Sequence, residues 1–532
     1  MQTNQFLWWQ SGIIYQIYPR SFKDNNGDGV GDLAGIIEKL DYCVWLGVDA
    51  IWLSPVYPSP MADFGYDIAD FTGIDPLFGD LATFDRLIQA AHARQLKVIL
   101  DFVPNHSSDE HAWFKASRTD RTDPKHDWYI WRDPQPNGEP PNNWLSHFGG
   151  SAWEFDANLG QYYLHTFHTK QPDLNWRNPR VRQAMYDVMR FWFDRGVDGF
   201  RIDVLPFLIK DEALRDNPLN PDWQEGDAFH FRIFRVYSED QPEVHEVIQE
   251  MRRLAEEYDE RVLIGEIYLP YERLVRYYGE NLNGIHLPFN FQLILLTDWK
   301  ARTVQQLVDS YEASLPEGAW PNWVLGNHDN PRPVSRLGLA QARIAQMLLL
   351  TLRGTPTCYY GDEQGMHAVE IPPELARDPQ EKSSPGFGRD PHRTPMQWDS
   401  SPNAGFCPPG VIPWLPVAED YQQFNVAVEQ QQPTSLLSLV HNLIQLRKAN
   451  PALHLGSYKT VATNCEDCFV YLREFESQTF LVALNFSNQD QHISVPQTGQ
   501  GRIALSTYLD RQGQISLKEL SLRGAEGLLI EL

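Results

Sequence analysis

The sequence predicts an α/β chain: a closed (β/α)8 TIM barrel, a subdomain inserted after the third strand, and a C-terminal all-β domain. Three observations carry this reading. Eight short apolar runs alternate with stretches of helical periodicity. One connection, residues 104–178, is far longer than an ordinary βα loop. Beyond residue 454 the helical periodicity stops and short strand patterns take over.

The chain has 532 residues, whereas a barrel of this kind takes about 250, so more than one domain is expected. The apolar runs are 13–18, 50–54, 97–103, 199–204, 262–268, 284–289, 323–327 and 356–360. Each is short and bounded by turn residues, as a strand buried on both faces should be. Between them lie 3.6-residue stripes, such as Leu33, Ile36, Ile37, Leu40 and Val44, or Val181, Met185, Val188 and Trp192. Strand–helix alternation repeated eight times favours a closed barrel over an open sheet. The predicted domains are 1–103 and 179–454 for the barrel, 104–178 for the inserted subdomain and 455–532 for a C-terminal β-sandwich. Residues 361–434 are rich in Pro and Gly and read as irregular chain over the C-terminal face of the barrel. The strings FVYLREF, TFLVALNF, RIALSTYL and GLLIEL supply the last domain's strands.

Composition excludes some functions. A formal charge of −25 argues against nucleic acid and against anionic membrane surfaces. The opening MQTNQFLWWQSG lacks the basic and apolar regions of a secretion signal, and no apolar run reaches the length of a membrane helix. The five cysteines include a single CxxC, Cys465 and Cys468, with no second pair to complete a zinc site. Free thiols in a reducing cytoplasm fit this pattern. The chain holds 17 Trp, and aromatic faces can stack on the C–H face of a sugar ring, although core and ordinary surface account for most aromatics.

Three acids stand at the ends of apolar runs: Asp203 in GFRIDV, Glu266 in VLIGEIY and Asp329 in WVLGNHD. In a parallel barrel those strand ends open on one mouth, so acids remote in sequence converge there. Arg201 lies two residues before Asp203 and shares its face, where it can hold the carboxylate ionised; the same pattern alone also describes a structural ion pair. Strands about 4.8 Å apart can set Asp203 and Glu266 roughly 5 Å apart, the spacing of a carboxylate pair that breaks glycosidic bonds with retention. His106 in DFVPNH and His328 beside Asp329 can hydrogen-bond hydroxyls without carrying charge.

The segment DNNGDGVGD (24–32) starts like an EF-hand loop, but position 12 is Gly35 and a strand precedes it. It is not an EF-hand. It can still offer oxygen from Asp24, Asn26, Asp28, the Val30 carbonyl and Asp32 to a hard cation; a metal-free Asp/Gly turn is the competing reading.

The strings DFVPNH, DGFRID, GEIY and NHDNPR, in this order, resemble the four sequence regions of the α-amylase superfamily, glycoside hydrolase family 13. QPDLN (171–175) is similar to a fifth region in its oligo-1,6-glucosidase form. The resemblance spans roughly residues 8–450. It implies that Asp203 is the nucleophile, Glu266 the proton donor and Asp329 the acid that grips the sugar hydroxyls. Arg201, His106 and His328 would complete the glucose subsite, with Tyr66 as its platform and Phe148 and Phe167 as walls. Asp63 and Arg393 match a pair that closes the pocket behind a terminal glucose in α-glucosidases. Val204 matches a position where Val accompanies α-1,6 cleavage, although the following LPFLIKD departs from the usual continuation, so both linkages stay open. The 24–32 loop is similar to a structural Ca2+ or Mg2+ site. No organic cofactor is implied.

The expected activity is that of a retaining exo-α-glucosidase acting on short oligosaccharides, as a monomer or homodimer. A related α-glucosyl transferase or isomerase (trehalose synthase, sucrose hydrolase or isomaltulose synthase type) is the alternative; it shares the chemistry up to the glucosyl-enzyme. A transporter subunit of the same superfamily would need a membrane anchor and need not keep the acids.

Overall fold

The computed structural model describes residues 6–383, 385–497 and 499–532. The start of the N-terminal segment, read above as no secretion signal, lies outside them. Eight parallel strands form the predicted barrel: β1 (Ile14–Ile17), β2 (Ala50–Leu53), β3 (Lys97–Phe102), β4 (Gly199–Ile202), β5 (Val262–Gly265), β6 (Leu287–Pro288), β7 (Asn322–Val324) and β8 (Thr355–Tyr359). Pairing runs β7-β8-β1-β2-β3-β4-β5-β6, and a parallel bridge between Asn290 and Trp323 closes the ring. The strands are shorter than their apolar runs. Residues 284–289 reduce to Leu287–Pro288 because the Gly284 and Ile285 amides donate back to Tyr278 and Tyr277 in a turn (2.8 Å each). Asp203 and Glu266 therefore follow the last residues of β4 and β5 directly, and Asp329 stands in the loop beyond β7.

Alternation along the strands sorts the core. Ile14, Ala50, Trp52, Ile99, Val262, Ile264 and Val324 fill the barrel interior, plugged from below by Trp9 and Trp320. Tyr15, Ile51, Val98, Leu100, Phe200 and Leu263 face outward against the helices. Those helices include α1 (Leu33–Leu46), α2 (Leu81–Ala93), α3 (Pro179–Asp194), α4 (Val244–Ala255), α5 (Ala301–Ser314), α6 (Pro333–Thr351) and α7 (Leu436–Ala449). Their starts are chemically marked: Asp32, Asp80, Asn178 and Ser435 each accept a backbone amide of the first turn.

The chain between β3 and α3 forms a small three-stranded antiparallel sheet (Trp131–Arg132, Gln161–Leu164 and Trp153–Asp156) above the barrel mouth. The bridge His106–Asp173 and the Leu174 amide, which donates to the Asn105 carbonyl at 2.9 Å, fasten it to the chain leaving β3. The buried Lys210, on the loop after β4, locks it from the other side, 2.6 Å from Asp173 and 2.8 Å from the Asn105 side chain. The segment after β8 holds only short helices and folds back over β1: Met396 N–H donates to the Ser21 carbonyl and the Tyr360 hydroxyl to that of Thr394 (2.7 Å each).

The C-terminal part pairs a six-stranded antiparallel sheet with a two-stranded one, Gln491–Ile493 with Leu520–Leu522. The larger sheet is buried on both faces. Val470, Leu472, Leu481 and Ile530 pack on the domain's own core, while Phe469, Tyr471, Phe480 and Val482 join the barrel's helical layer. The buried Arg447 and Arg473 both donate to the Leu453 carbonyl at the junction (3.0 and 2.9 Å). All five cysteines are buried and unpaired.

In the inserted subdomain His111 caps the helix Ala112–Ser117, its Nδ1 accepting from Trp113 N–H at 3.0 Å. Burial pushes this imidazole down from 6.5 to about 4. The unfolded chain therefore takes up a proton between those values while the folded one does not, and stability falls with pH across that window. His111→Asn keeps a capping acceptor and removes the titration. The variant should gain on the wild type by up to about 2 kcal/mol as pH falls from 6.5 to 4.5, measured by urea unfolding. A stability difference that stays constant with pH contradicts this.

Candidate active site

The register of the barrel builds the site. Arg201 on β4 sits beside Asp101 on β3 and Ile264 on β5, so its side chain enters the mouth between two strands. It is buried, and one guanidinium meets three carboxylates: Asp101 at 2.7 Å, Asp203 at 2.6 Å and Glu266 at 2.7 Å. All three acids are buried. Burial pushes Asp203 well up, and Arg201 pulls against it while Glu266 and Asp101 push it further. Burial likewise takes Asp101 up to about 6 despite Arg201. Sequence reasoning missed Asp101. The signal was there, in the form of an acid inside an otherwise apolar strand.

Val204 follows Asp203 with φ 38° and ψ 44°, a left-handed conformation that β-branched residues rarely adopt. Its N–H donates to Glu266 Oε2 at 2.9 Å. The acid after β5 is thus held against the residue next to Asp203, which keeps the two carboxyls in one buried cluster.

Tyr66 and His328 close the floor. Their rings stack at 5.3 Å with an interplanar angle of 2°. The Tyr66 hydroxyl lies 2.8 Å from His328 Nε2 and 3.0 Å from Asp101 Oδ2. Gln16 on β1 reaches His328 Nδ1 at 2.9 Å. Burial pushes His328 down to about 3 and His106 to about 4, so both imidazoles are neutral near pH 7. His106 bonds the Tyr66 carbonyl and the Gln171 amide (3.1 Å each).

Asp329 is the partly exposed acid of the group, at 24% for its side chain. Its burial would raise its pKa, but nearby positive groups hold it well below the carboxylate range. Because His328 is neutral, that charge comes from Arg389 at 3.2 Å and Arg393 at 2.9 Å. Asp329 is therefore a permanent acceptor.

The wall of the pocket corrects one sequence expectation. The partner of Asp63 is Arg389, at 2.7 Å, not Arg393. Arg393 is turned to Asp329 and to the His328 carbonyl (2.8 Å). Both arginines belong to GRDPHRT, and spacing alone does not say which one faces Asp63. Arg389 also binds the buried Asp378 through two nitrogens (2.9 and 2.7 Å), an acid missed in the sequence. Gln171 donates to the other oxygen of Asp63 at 3.1 Å. Phe148 lies under the Arg389 guanidinium, 5.6 Å from ring to cation. Phe167 packs between His106 and His147, at 5.4 and 4.8 Å.

The 24–32 loop lies apart from these acids and is closed by its own hydrogen bonds. Asp24 accepts from Gly27 and Gly29, Asn26 from Asp28, Asp28 from Val30, and Asp32 from Asn25, Asn26 and Gly35. Among the described residues no three His, Cys, Asp or Glu side chains are gathered as a metal would require. The loop's donors are nonetheless all oxygen, the chemistry a hard cation selects.

Removing Arg201 leaves Asp101 and Asp203 buried without their counter-charge. Arg201→Met should lose at least about 3 kcal/mol at pH 7. The deficit should shrink as pH falls toward 5, because the folded variant then takes up protons that the unfolded chain does not. Urea unfolding at several pH values measures this, and a pH-independent deficit contradicts it.

A model of the family "Alpha amylase, catalytic domain" matches residues 16–456. The chain is 40% identical to Maltase 1 of Drosophila virilis over 99% of its own length and 87% of that protein. It is 39% identical to the oligo-1,6-glucosidase of Heyndrickxia coagulans, covering 94% and 96% of the two chains. Among solved structures, the alpha-glucosyl transfer enzyme XgtA superposes with a TM-score of 0.93 at 41% identity, covering 99% of this chain and all of that one. On fold, acid cluster and matched length together, the chain belongs to the alpha-amylase family.

Proposed function

We propose that this protein is an exo-acting α-glucosidase that releases terminal α-linked glucose from short oligosaccharides with retention. The observation that carries the reading is the shared guanidinium: Arg201 holds Asp203 and Glu266 in one buried cluster, with the Asp203–Val204 peptide donating to Glu266. Asp203 attacks the anomeric carbon as Glu266 gives its proton to the departing oxygen, and an ester to Asp203 forms. Water then attacks the same carbon, loses its proton to Glu266 and frees Asp203. Asp329, held ionised by Arg389 and Arg393, accepts hydroxyl hydrogen bonds from the bound glucose. The Asp63–Arg389–Asp378 chain shuts one end of the site, which supports removal of single terminal residues rather than internal cleavage. The maltase and oligo-1,6-glucosidase names of the relatives support the substrate class. The XgtA neighbour supports a second reading, in which a sugar hydroxyl replaces water in the second step.

Asp203→Asn should lower glucose release from p-nitrophenyl α-glucoside by at least about 10⁴-fold while the variant remains folded. Near-normal turnover contradicts the assignment. On maltose, isomaltose and sucrose, product analysis by NMR separates hydrolysis from transfer. Arg389→Ala should cost at least about 10-fold in kcat/KM on maltose, because the grip on the non-reducing end is lost; an unchanged value removes the closed-pocket argument.

We further propose that the 24–32 loop takes Ca2+ or Mg2+ in a structural role, the Asp24, Asn26, Asp28 and Asp32 side chains turning from the loop's amides to the ion and the Val30 carbonyl joining them. Unpaired thiols support a reducing cytoplasm as its location.

A further inference from the structure

The left-handed turn at Val204 stands where the chain has two demands to meet. The Asp203 amide continues the barrel's bonding pattern, donating to the Phe102 carbonyl at 2.8 Å. The next amide, that of Val204, leaves the pattern and donates to Glu266 Oε2. The chain must then turn at once into the 3-10 turn Leu205–Phe207, closed by Phe207 N–H on the Val204 carbonyl at 2.9 Å. With the amide fixed on Glu266, that turn forces φ to 38° at a residue whose branched side chain resists it. Rotating the 203–204 peptide would relieve the residue and take the N–H away from the acid. Strain held at one residue of a reaction centre points to a task for the group it aims.

Among the described residues this amide makes the hydrogen bond to the Glu266 carboxyl; Arg201 Nη2 adds an ion contact to the same oxygen at 2.7 Å. Both donors, one neutral and one charged, lie on Oε2, so a proton on this carboxyl belongs on Oε1.

We propose that the Val204 peptide N–H is a positioning group for Glu266: it fixes the carboxyl so that Oε1 presents its proton to the departing glycosidic oxygen. The inference rests on Glu266 being the proton donor. In the step concerned, the C1–O bond breaks, its electron pair stays on the departing oxygen, the Oε1 proton joins that oxygen, and Asp203 bonds to C1. Misplacing Glu266 harms this step only when the leaving group needs a proton.

Two substrates separate positioning from a merely structural role. Maltose loses an alkoxide and needs the proton; α-glucosyl fluoride loses fluoride and does not. Replacing the Val204 amide by an ester, with α-hydroxyisovaleric acid at position 204, removes the N–H and keeps the side chain. We expect kcat/KM, which reports formation of the glucosyl ester and not the later step in which Glu266 takes the proton from water, to fall about 10-fold on maltose, the worth of one hydrogen bond, and to change less than about 3-fold on the fluoride. Equal losses on both substrates, or none on either, overturn the proposal. Glu266→Gln on the same pair, again compared by kcat/KM, tests the underlying reading: if both values fall equally, Glu266 is not the proton donor and the failure lies there. The strain has its own test that needs no activity. Val204→Gly should unfold at a higher temperature than Val204→Ala, the reverse of the order at ordinary positions, because Gly adopts this turn freely. Ala above Gly would show that no strain is stored.

Discussion

One guanidinium against three buried carboxylates is the constraint on which the site depends. Arg201 has no room to leave, because it is enclosed by β3, β4 and β5 and faces an acid on each side. Burying so much charge is costly, and the attraction that offsets it needs near-ideal geometry. A planar fork that serves several oxygens at once supplies it; a lysine could not. Three acids on one cation also leave the cluster with surplus negative charge, so burial and mutual repulsion push Asp203 and Asp101 upward. The proposed mechanism, which adds and removes one proton while attacking an electron-poor carbon, needs such a balance.

Everything around the cluster sets which oxygens can move. Asp101 is tied by Arg201, Tyr66 and Trp52, and so holds the arginine rather than reacting. Among the described residues Glu266 is tied on one oxygen, by Arg201 and by the amide of a strained turn. Asp329 belongs to a second cationic group, Arg389 and Arg393, which keeps it ionised with a smaller pull from Arg201. The two groups meet through the neutral His328, which stacks on Tyr66 and touches Asp329 at 3.2 Å. Acids at one barrel mouth thereby stand in different surroundings, which the proposed mechanism turns into different tasks.

Much of this was legible in the sequence. Eight apolar runs with helical stripes between them led to the barrel, and acids at the strand ends led to its mouth. Those features follow from periodicity and from the geometry of parallel strands. What stayed hidden depends on tertiary contact. Asp101 looked like part of a strand until register set it beside Arg201. Arg389 and Arg393 are four residues apart on an irregular loop, and only its path decides which meets Asp63. The turn at Val204 left no trace, because a valine in a strand-like run predicts extended backbone. The run at 284–289 overstated its strand because two of its amides are used in a turn.

The central claim is that Asp203, held by Arg201, forms a covalent bond to glucose during turnover. A slow substrate such as 5-fluoro-α-glucosyl fluoride, which accumulates the intermediate, tests it most directly when followed by mass spectrometry of the digested protein. The account predicts a fluoroglucosyl ester on the peptide carrying Asp203, formed as activity disappears and lost as activity returns. An adduct on Asp101, Glu266 or Asp329, or inactivation without any adduct, would contradict it.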